Sequence, residues 1–335
     1  KDTKNSKALE SSMDFFNKSE QAILLKAENI IVGFSGGADS TLALYATNEF
    51  LKSHDQTSKL TALYVDHQMD TNSTAWLKHC ESFCAKQNIT FESQKAEINQ
   101  SGQGFEAAAR TARQNIFNAY DKNSVIILGH HMDDQVETVF FRVLRGTGLK
   151  GLSGIPRHTK TNGNDLLRPL MHKSKEEILQ FIDDAQLDFI EDESNQDNSY
   201  SRNFLRNKII PLIMQRWPGA KKNTARMANL LSKQSKLYHQ FLTDKLQSVC
   251  DDDGLLLDKL STLDYFERAE LIRIWLDQQS FASPNESQMK ELEKSFFQSR
   301  QDANPTIKFY REDAQKTGVI LSKTNNYLIA EELNE

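Results

Sequence analysis

Apolar runs rich in β-formers stand at residues 29–34 ("NIIVGF"), 60–66 ("LTALYVD"), 89–94 ("ITFESQ") and 124–130 ("SVIILGH"). Between them, roughly over 38–53, 72–88 and 103–121, apolar residues recur at helical spacing. Strands alternating with helices predict an α/β fold, a Rossmann-like parallel sheet with helices on both faces. All six prolines lie at or beyond Pro156, which leaves the first half free of helix breakers. A Gly-rich stretch, "RGTGLKGLSGIP" (145–156), follows a helix expected to start near Met132. After "PLIMQRWPG" (211–219) the pattern changes: residues 224–300 read as helices, and "TIKFYRE" and "GVILSK" are strand-like. The expected division is therefore an α/β domain over 1–218 and a mainly helical domain over 219–335.

Composition changes this picture little. The 335 residues, 38% hydrophobic and 26% charged, suit a globular chain of two domains. No apolar run reaches the length of a membrane span, and the first thirty residues are charged throughout, so neither a membrane nor a secretion signal is expected. Three cysteines cannot build a disulfide framework, and a cytoplasmic location follows as an expectation. Cys80 and Cys84 are four apart on a predicted helix, where burial is the favoured fate. Net charge is −5, a weak argument against a nucleic-acid partner. Its distribution argues otherwise: residues 183–197 hold seven acids and no Lys or Arg, while 199–226 hold seven Lys or Arg and no acid. The basic run is either a footprint for a phosphate backbone or a solvated face paired with the acids before it.

Two stretches carry chemistry. In "IIVGFSGGADSTLAL" (30–44) a strand breaks into Ser35-Gly36-Gly37-Ala38-Asp39-Ser40 and resumes as a helix. Such a turn offers backbone N–H groups and the positive end of a helix dipole to a phosphate. No lysine accompanies it, and Asp39 beside phosphate requires a divalent cation between them, so Mg²⁺ on Asp39 is inferred. The alternative is an aspartate that caps the helix. In "ILGHHMDDQVETVFFRVLRGTGLKGLSGIP" (127–156), a helix starting near 130 sets His130, Asp134 and Glu137 on one stripe at the carboxyl end of the fourth strand. A zinc site from His130 and Asp134 ranks below substrate binding, since no further His/Cys cluster accompanies it.

"SGGADS" resembles the SGGxDS signature of the N-type ATP pyrophosphatases, or PP-loop enzymes. The resemblance implies that Ser35, Gly36, Gly37, Ala38, Asp39, Ser40 and Asp66 bind ATP, which is cleaved between its α and β phosphates. The second stretch, with "YVDHQ" (64–68), "GFEAAARTARQNIF" (104–117), "LRPL" (167–170) and "EDESNQDNSYSRNFLRNKIIPLI" (191–213), is similar to the tRNA(Ile)-lysidine synthetases. That family implies adenylation of the wobble cytidine of an isoleucine tRNA, then attack by free L-lysine. The lysine amine, with a pKa of about 10.4, must be held and deprotonated. Asp134 and Glu137 suit the holding, and His130 or one of those acids the deprotonation. The resemblance also puts Arg110 near the ATP phosphates, and Arg202 and Arg206 at RNA phosphates or the active site. Arg142, Arg145 and Lys208 are weaker tRNA candidates, residues 219–335 a tRNA-binding domain, and a homodimer is left open.

Two rivals stand against this reading: another PP-loop enzyme, such as a tRNA thiolase or an ammonia-using synthetase, and, from a different class, a non-catalytic RNA-binding module. A tRNA thiolase needs sulfur-handling cysteines, typically C-x-x-C, and this chain has C-x-x-x-C and a distant Cys250. An ammonia-using synthetase is expected to lack both the basic run and "GHHMDDQVET". A non-catalytic RNA-binding module has no use for Asp39, Asp134 and Glu137 together.

Overall fold

The computed structural model describes residues 15–66, 73–97, 105–191, 196–299, 304–309 and 317–333. The chain divides into two compact units, residues 1–232 and 233–335.

The first unit is built on six strands: β1 (Ile30–Gly33), β2 (Leu60–Asp66), β3 (Thr90–Lys95), β4 (Val125–Ile127), β5 (His158–Thr161) and β6 (Asn164–Leu167). Their order is β3-β2-β1-β4-β6-β5. Only the β5–β6 pair is antiparallel. Ile30, Ile31 and Val32 are buried, as a central strand covered on both faces requires. Helices Ala38–Lys52, Ser73–Gln87 and Phe105–Asn118 form the crossovers where helical spacing predicts them. Ala38–Lys52 carries the main core: Leu42, Ala43, Leu44, Ala46, Phe50 and Leu51 pack with the β1 and β2 side chains. Each large apolar side chain so buried contributes about 1.5–3 kcal/mol. Cys80 and Cys84 are buried in the same cluster, and burial pushes both thiols up to about 12.

The β5–β6 hairpin is absent from the periodicity reading. Its strands are short, but Asn162 and Gly163, with φ of 50° and 86°, form the two-residue turn that Asn-Gly pairs favour, so the dipeptide was a legible signal.

From β1 the chain steps outward to β2 and β3, then returns to lay β4 on the other side of β1. The reversal opens a crevice at the carboxyl ends of β1 and β4, where parallel sheets bind ligands. At the floor of that crevice Gly129 is required: a Cβ there would stand 2.8 Å from both the carbonyl carbon and oxygen of Asp39.

In the second unit the strands β7 (Cys250–Asp251), β8 (Gly254–Leu256), β9 (Thr306–Phe309), β10 (Val319–Thr324) and β11 (Tyr327–Glu332) form an antiparallel sheet ordered β7-β8-β11-β10-β9. Helices Tyr265–Gln278 and Glu286–Phe296 share its core through Leu271, Leu276, Leu292, Val319, Leu321 and Leu328. Among the described residues, no helix is long and apolar enough to cross a membrane.

Candidate active site

The turn after β1 is shaped by glycine. Gly36 has φ +82°, and a Cβ on it would meet Cys80 Sγ and Ile190 Cδ1 at 3.0 Å. Ser35 N–H donates to Ser40 Oγ (3.2 Å), and Ser40 Oγ donates to the Gly37 carbonyl (3.0 Å), which ties the turn to the helix. Gly37 is the N-cap of Ala38–Lys52 and supplies no side chain to its first N–H groups. Asp39 lies in the first turn but caps nothing; its carboxylate faces outward to other partners. That removes the capping alternative.

Asp39 Oδ1 accepts from Lys175 Nζ at 2.7 Å, and Asp39 Oδ2 lies 3.6 Å from His131 Nε2. Burial pushes the Asp39 carboxyl up, but His131 and Lys175 outweigh it and hold the group below its ordinary value. His131 is the N-cap of helix Met132–Leu144, with extended backbone (φ −131°, ψ −175°), and its main-chain N–H donates to Asp134 Oδ2 (2.9 Å). Its ring stands 3.6 Å from each of Asp39, Asp133 and Asp134. Burial lowers the imidazole pKa, yet these carboxylates together raise it to about 10. The Asp133 N–H also points at Nδ1 (3.2 Å), which suits a neutral ring. Three carboxylates outweigh one long amide contact, and the ring is the cation of an acid cluster.

This corrects the predicted stripe. The helix begins at Met132, so His130 precedes it, and His131 meets Asp134 instead. His130 belongs to a different environment. Its Nδ1 is buried without a hydrogen-bond partner, and burial, with Arg168, Arg113 and Arg110 nearby, depresses its pKa well below the usual histidine range. Arg168, buried directly after β6, donates from Nη1 to the Pro156 carbonyl (2.7 Å), while its Nε is buried and unpartnered. The crevice thus has an acidic wall around Asp39 and Asp134 and an arginine-rich wall around His130. "LRPL" contains Arg168, but nothing local in the sequence marked it.

Glu137 is buried, and Arg206 grips both its oxygens, Nε to Oε1 at 2.6 Å and Nη2 to Oε2 at 3.0 Å. Burial pushes the Glu137 carboxyl up against that pairing. Arg206 Nη2 also lies 3.5 Å from Asp134. Arg206 sits in a π turn, Leu205–Ile209, just before Pro211, whose missing N–H cannot serve the regular helical ladder. The carboxylate expected to face free lysine, and the guanidinium expected at RNA phosphates or the active site, therefore meet each other. Arg142, likewise expected at RNA, donates to the carbonyls of Gly151 and Gly154, both at 2.9 Å, and braces the Gly-rich stretch. Arg145 and Arg202 lie 5.2 and 6.0 Å from the Phe141 ring centroid, and Lys208 is exposed. Arg110 is exposed on helix Phe105–Asn118, and Asp66 ends β2, half-buried.

Lys175 and Lys221 complete the cluster; nothing in the sequence marked Lys175, and Lys221 stood out only as part of the basic run. Lys175 is 136 residues from Asp39. Lys221 bridges Asp133 and Glu176.

Loop, crevice and acid wall define an α/β protein with a phosphate-type turn at the carboxyl end of its sheet. The family it belongs to is the PP-loop domain family, whose pattern matches residues 5–213. Residues 255–311 match a second pattern, the TilS substrate binding domain. The chain is similar to tRNA(Ile)-lysidine synthases: 34% identical to that of Proteus mirabilis over 86% of this chain, 36% to that of Francisella tularensis over 79%, and 34% to that of Escherichia coli O157:H7 over 85%. It spans 66% of the length of each of these relatives. A solved structure, the U34-tRNA thiolase NcsA from Methanococcus maripaludis, shares the fold with a TM-score of 0.54 and 18% identity, covering 69% of this chain and 81% of that one.

Proposed function

We propose that this protein joins free lysine to the wobble cytidine of an isoleucine tRNA at the cost of ATP. The observation that carries the reading is the contact at Gly129, which sets the Ser-Gly-Gly turn and the His131–Asp134 cluster in one crevice. Similarity to the lysidine synthases supports the choice of substrates.

The turn's N–H groups and Ser35 and Ser40 hydroxyls hold the ATP phosphates. Asp39 offers a hard oxygen, half-exposed beside the turn, of the kind Mg²⁺ takes when phosphate supplies further ligands. Asp39 would hold the ion, which would supply charge neutralisation to the phosphates. The cytosine 2-carbonyl oxygen attacks the α-phosphorus and pyrophosphate leaves; Arg110 stabilises that charge. The lysine ammonium first passes one proton to His130 or to one of the acids Asp134 and Glu137; the freed lone pair attacks C2, the C2–O bond breaks with AMP as the leaving group, and the second proton passes from nitrogen to solvent. Asp134 receives the lysine ammonium; Glu137 shares the task when Arg206 yields. His131 and Arg206 beside it are cations, which favour the neutral, attacking amine. His130 is neutral at neutral pH, keeping one ring N–H and leaving the other nitrogen's lone pair available, though its depressed pKa makes it a weak base. Arg145, Arg202 and Lys208 contact RNA phosphates, Arg142 positions the Gly-rich stretch for them, and residues 219–335 bind the tRNA body.

Mass analysis of tRNA nucleosides after incubation with ATP and lysine tests this. A cytidine heavier by one lysyl group is the expected product. A sulfur-sized change would move the protein to the thiolases, against which its two buried, elevated-pKa thiols argue.

A further inference from the structure

The phosphate turn contains no lysine, and Asp39 adds a negative charge where a tri- or diphosphate must sit. Backbone N–H groups and hydroxyls are neutral, and a helix terminus supplies only about half a charge. Folding delivers a cation to this spot from elsewhere. Lys175 Nζ lies 2.7 Å from Asp39 Oδ1, with both side chains about one-third exposed to the crevice (38% and 32%).

Main-chain bonds that do not involve the ammonium fix Lys175. It is the first residue of helix Lys175–Asp184, whose N-cap Ser174 forms a reciprocal capping box with Glu177. Its backbone N–H donates to Asp133 Oδ2 (2.9 Å), and Met132 N–H donates to the Lys173 carbonyl (2.9 Å). The segment is thereby clamped to the start of the Met132–Leu144 helix, whatever the side chain does. A four-carbon stem then lets the ammonium swing from the carboxylate to a phosphate oxygen beside it.

We infer that Lys175 is a pyrophosphate-binding residue: it leaves Asp39 when the nucleotide enters and stays on the β- and γ-phosphates as they depart. The inference rests on the PP-loop reading of the turn. It supplies in space the phosphate lysine missing from the turn in sequence.

Calorimetric titration of inorganic pyrophosphate with Mg²⁺ into the full chain tests it, with adenosine as a control on the same samples. Lys175→Met is expected to weaken pyrophosphate about tenfold to a hundredfold, as loss of one charge-assisted contact does. Lys175→Arg should recover most of that loss, and adenosine affinity should not move. Wild-type pyrophosphate affinity in Lys175→Met overturns the inference alone. Equal losses for pyrophosphate and adenosine also overturn it, because they mark a lysine that only supports the fold. A wild-type protein that binds no pyrophosphate overturns the PP-loop reading and this inference with it.

Discussion

Asp39 is the residue on which the phosphate chemistry turns. Its carboxylate is held ionised by His131 and Lys175, an arrangement with no purpose in capping or packing. Asp39→Ala is expected to lower pyrophosphate release about a hundredfold or more, on the scale of losing a main electrostatic group. Release at the wild-type rate would remove the magnesium assignment. His131 makes a second prediction. Its folded pKa of about 10 exceeds the ordinary value of 6.5, so the folded state binds the extra proton more tightly. The stability this confers is complete below pH 6.5 and is lost as pH rises through 10. Thermal midpoints between pH 6.5 and 10 should therefore fall more steeply for the wild type than for His131→Gln. Parallel slopes would mean that the ring is neutral when folded.

At the scale of elements, capping decides the site. The N-cap at His131 places one imidazole among the acids and leaves the other among arginines. A one-residue shift in the helix start would exchange those roles. The same helix carries Arg142, whose two bonds to Gly151 and Gly154 fasten the stretch that follows it, and Gln135, whose Oε1 accepts from Ile155 N–H. Gly154, with φ +65°, has room for no Cβ against Gln135. Arg142→Ala should release this stretch: amide exchange over 146–155 rises roughly thirtyfold, two lost hydrogen bonds' worth, while the strands keep their protection. Unchanged exchange would return Arg142 to a direct RNA role.

For the whole molecule, the net charge of −5 conceals a divided surface. Within the basic run, Arg206 and Lys221 turn inward to Glu137, Asp133 and Glu176, all outside the acidic block at 183–197. Lys208, Arg216, Lys222 and Arg226 remain exposed. If these four, with Arg145 and Arg202, meet tRNA phosphates, a log–log plot of affinity against salt should slope by roughly −4 to −5. A flat plot would return the run to a solvated face.

Much of this was legible along the chain. The strands at β1, β2 and β4 follow from their apolar runs and the three crossover helices from their spacing, because burial writes itself into local pattern, while β3, which has no buried residue, was legible from its β-formers. "SGGADS" was legible because a phosphate turn is a contiguous backbone device. What the sequence by itself could not determine is which charges meet. Lys175 reaches Asp39 across 136 residues, and Arg206 takes Glu137 across 69. Such pairs arise only when the sheet order brings separate strand ends together, and Coulomb attraction depends on distance in space, to which distance along the chain is no guide.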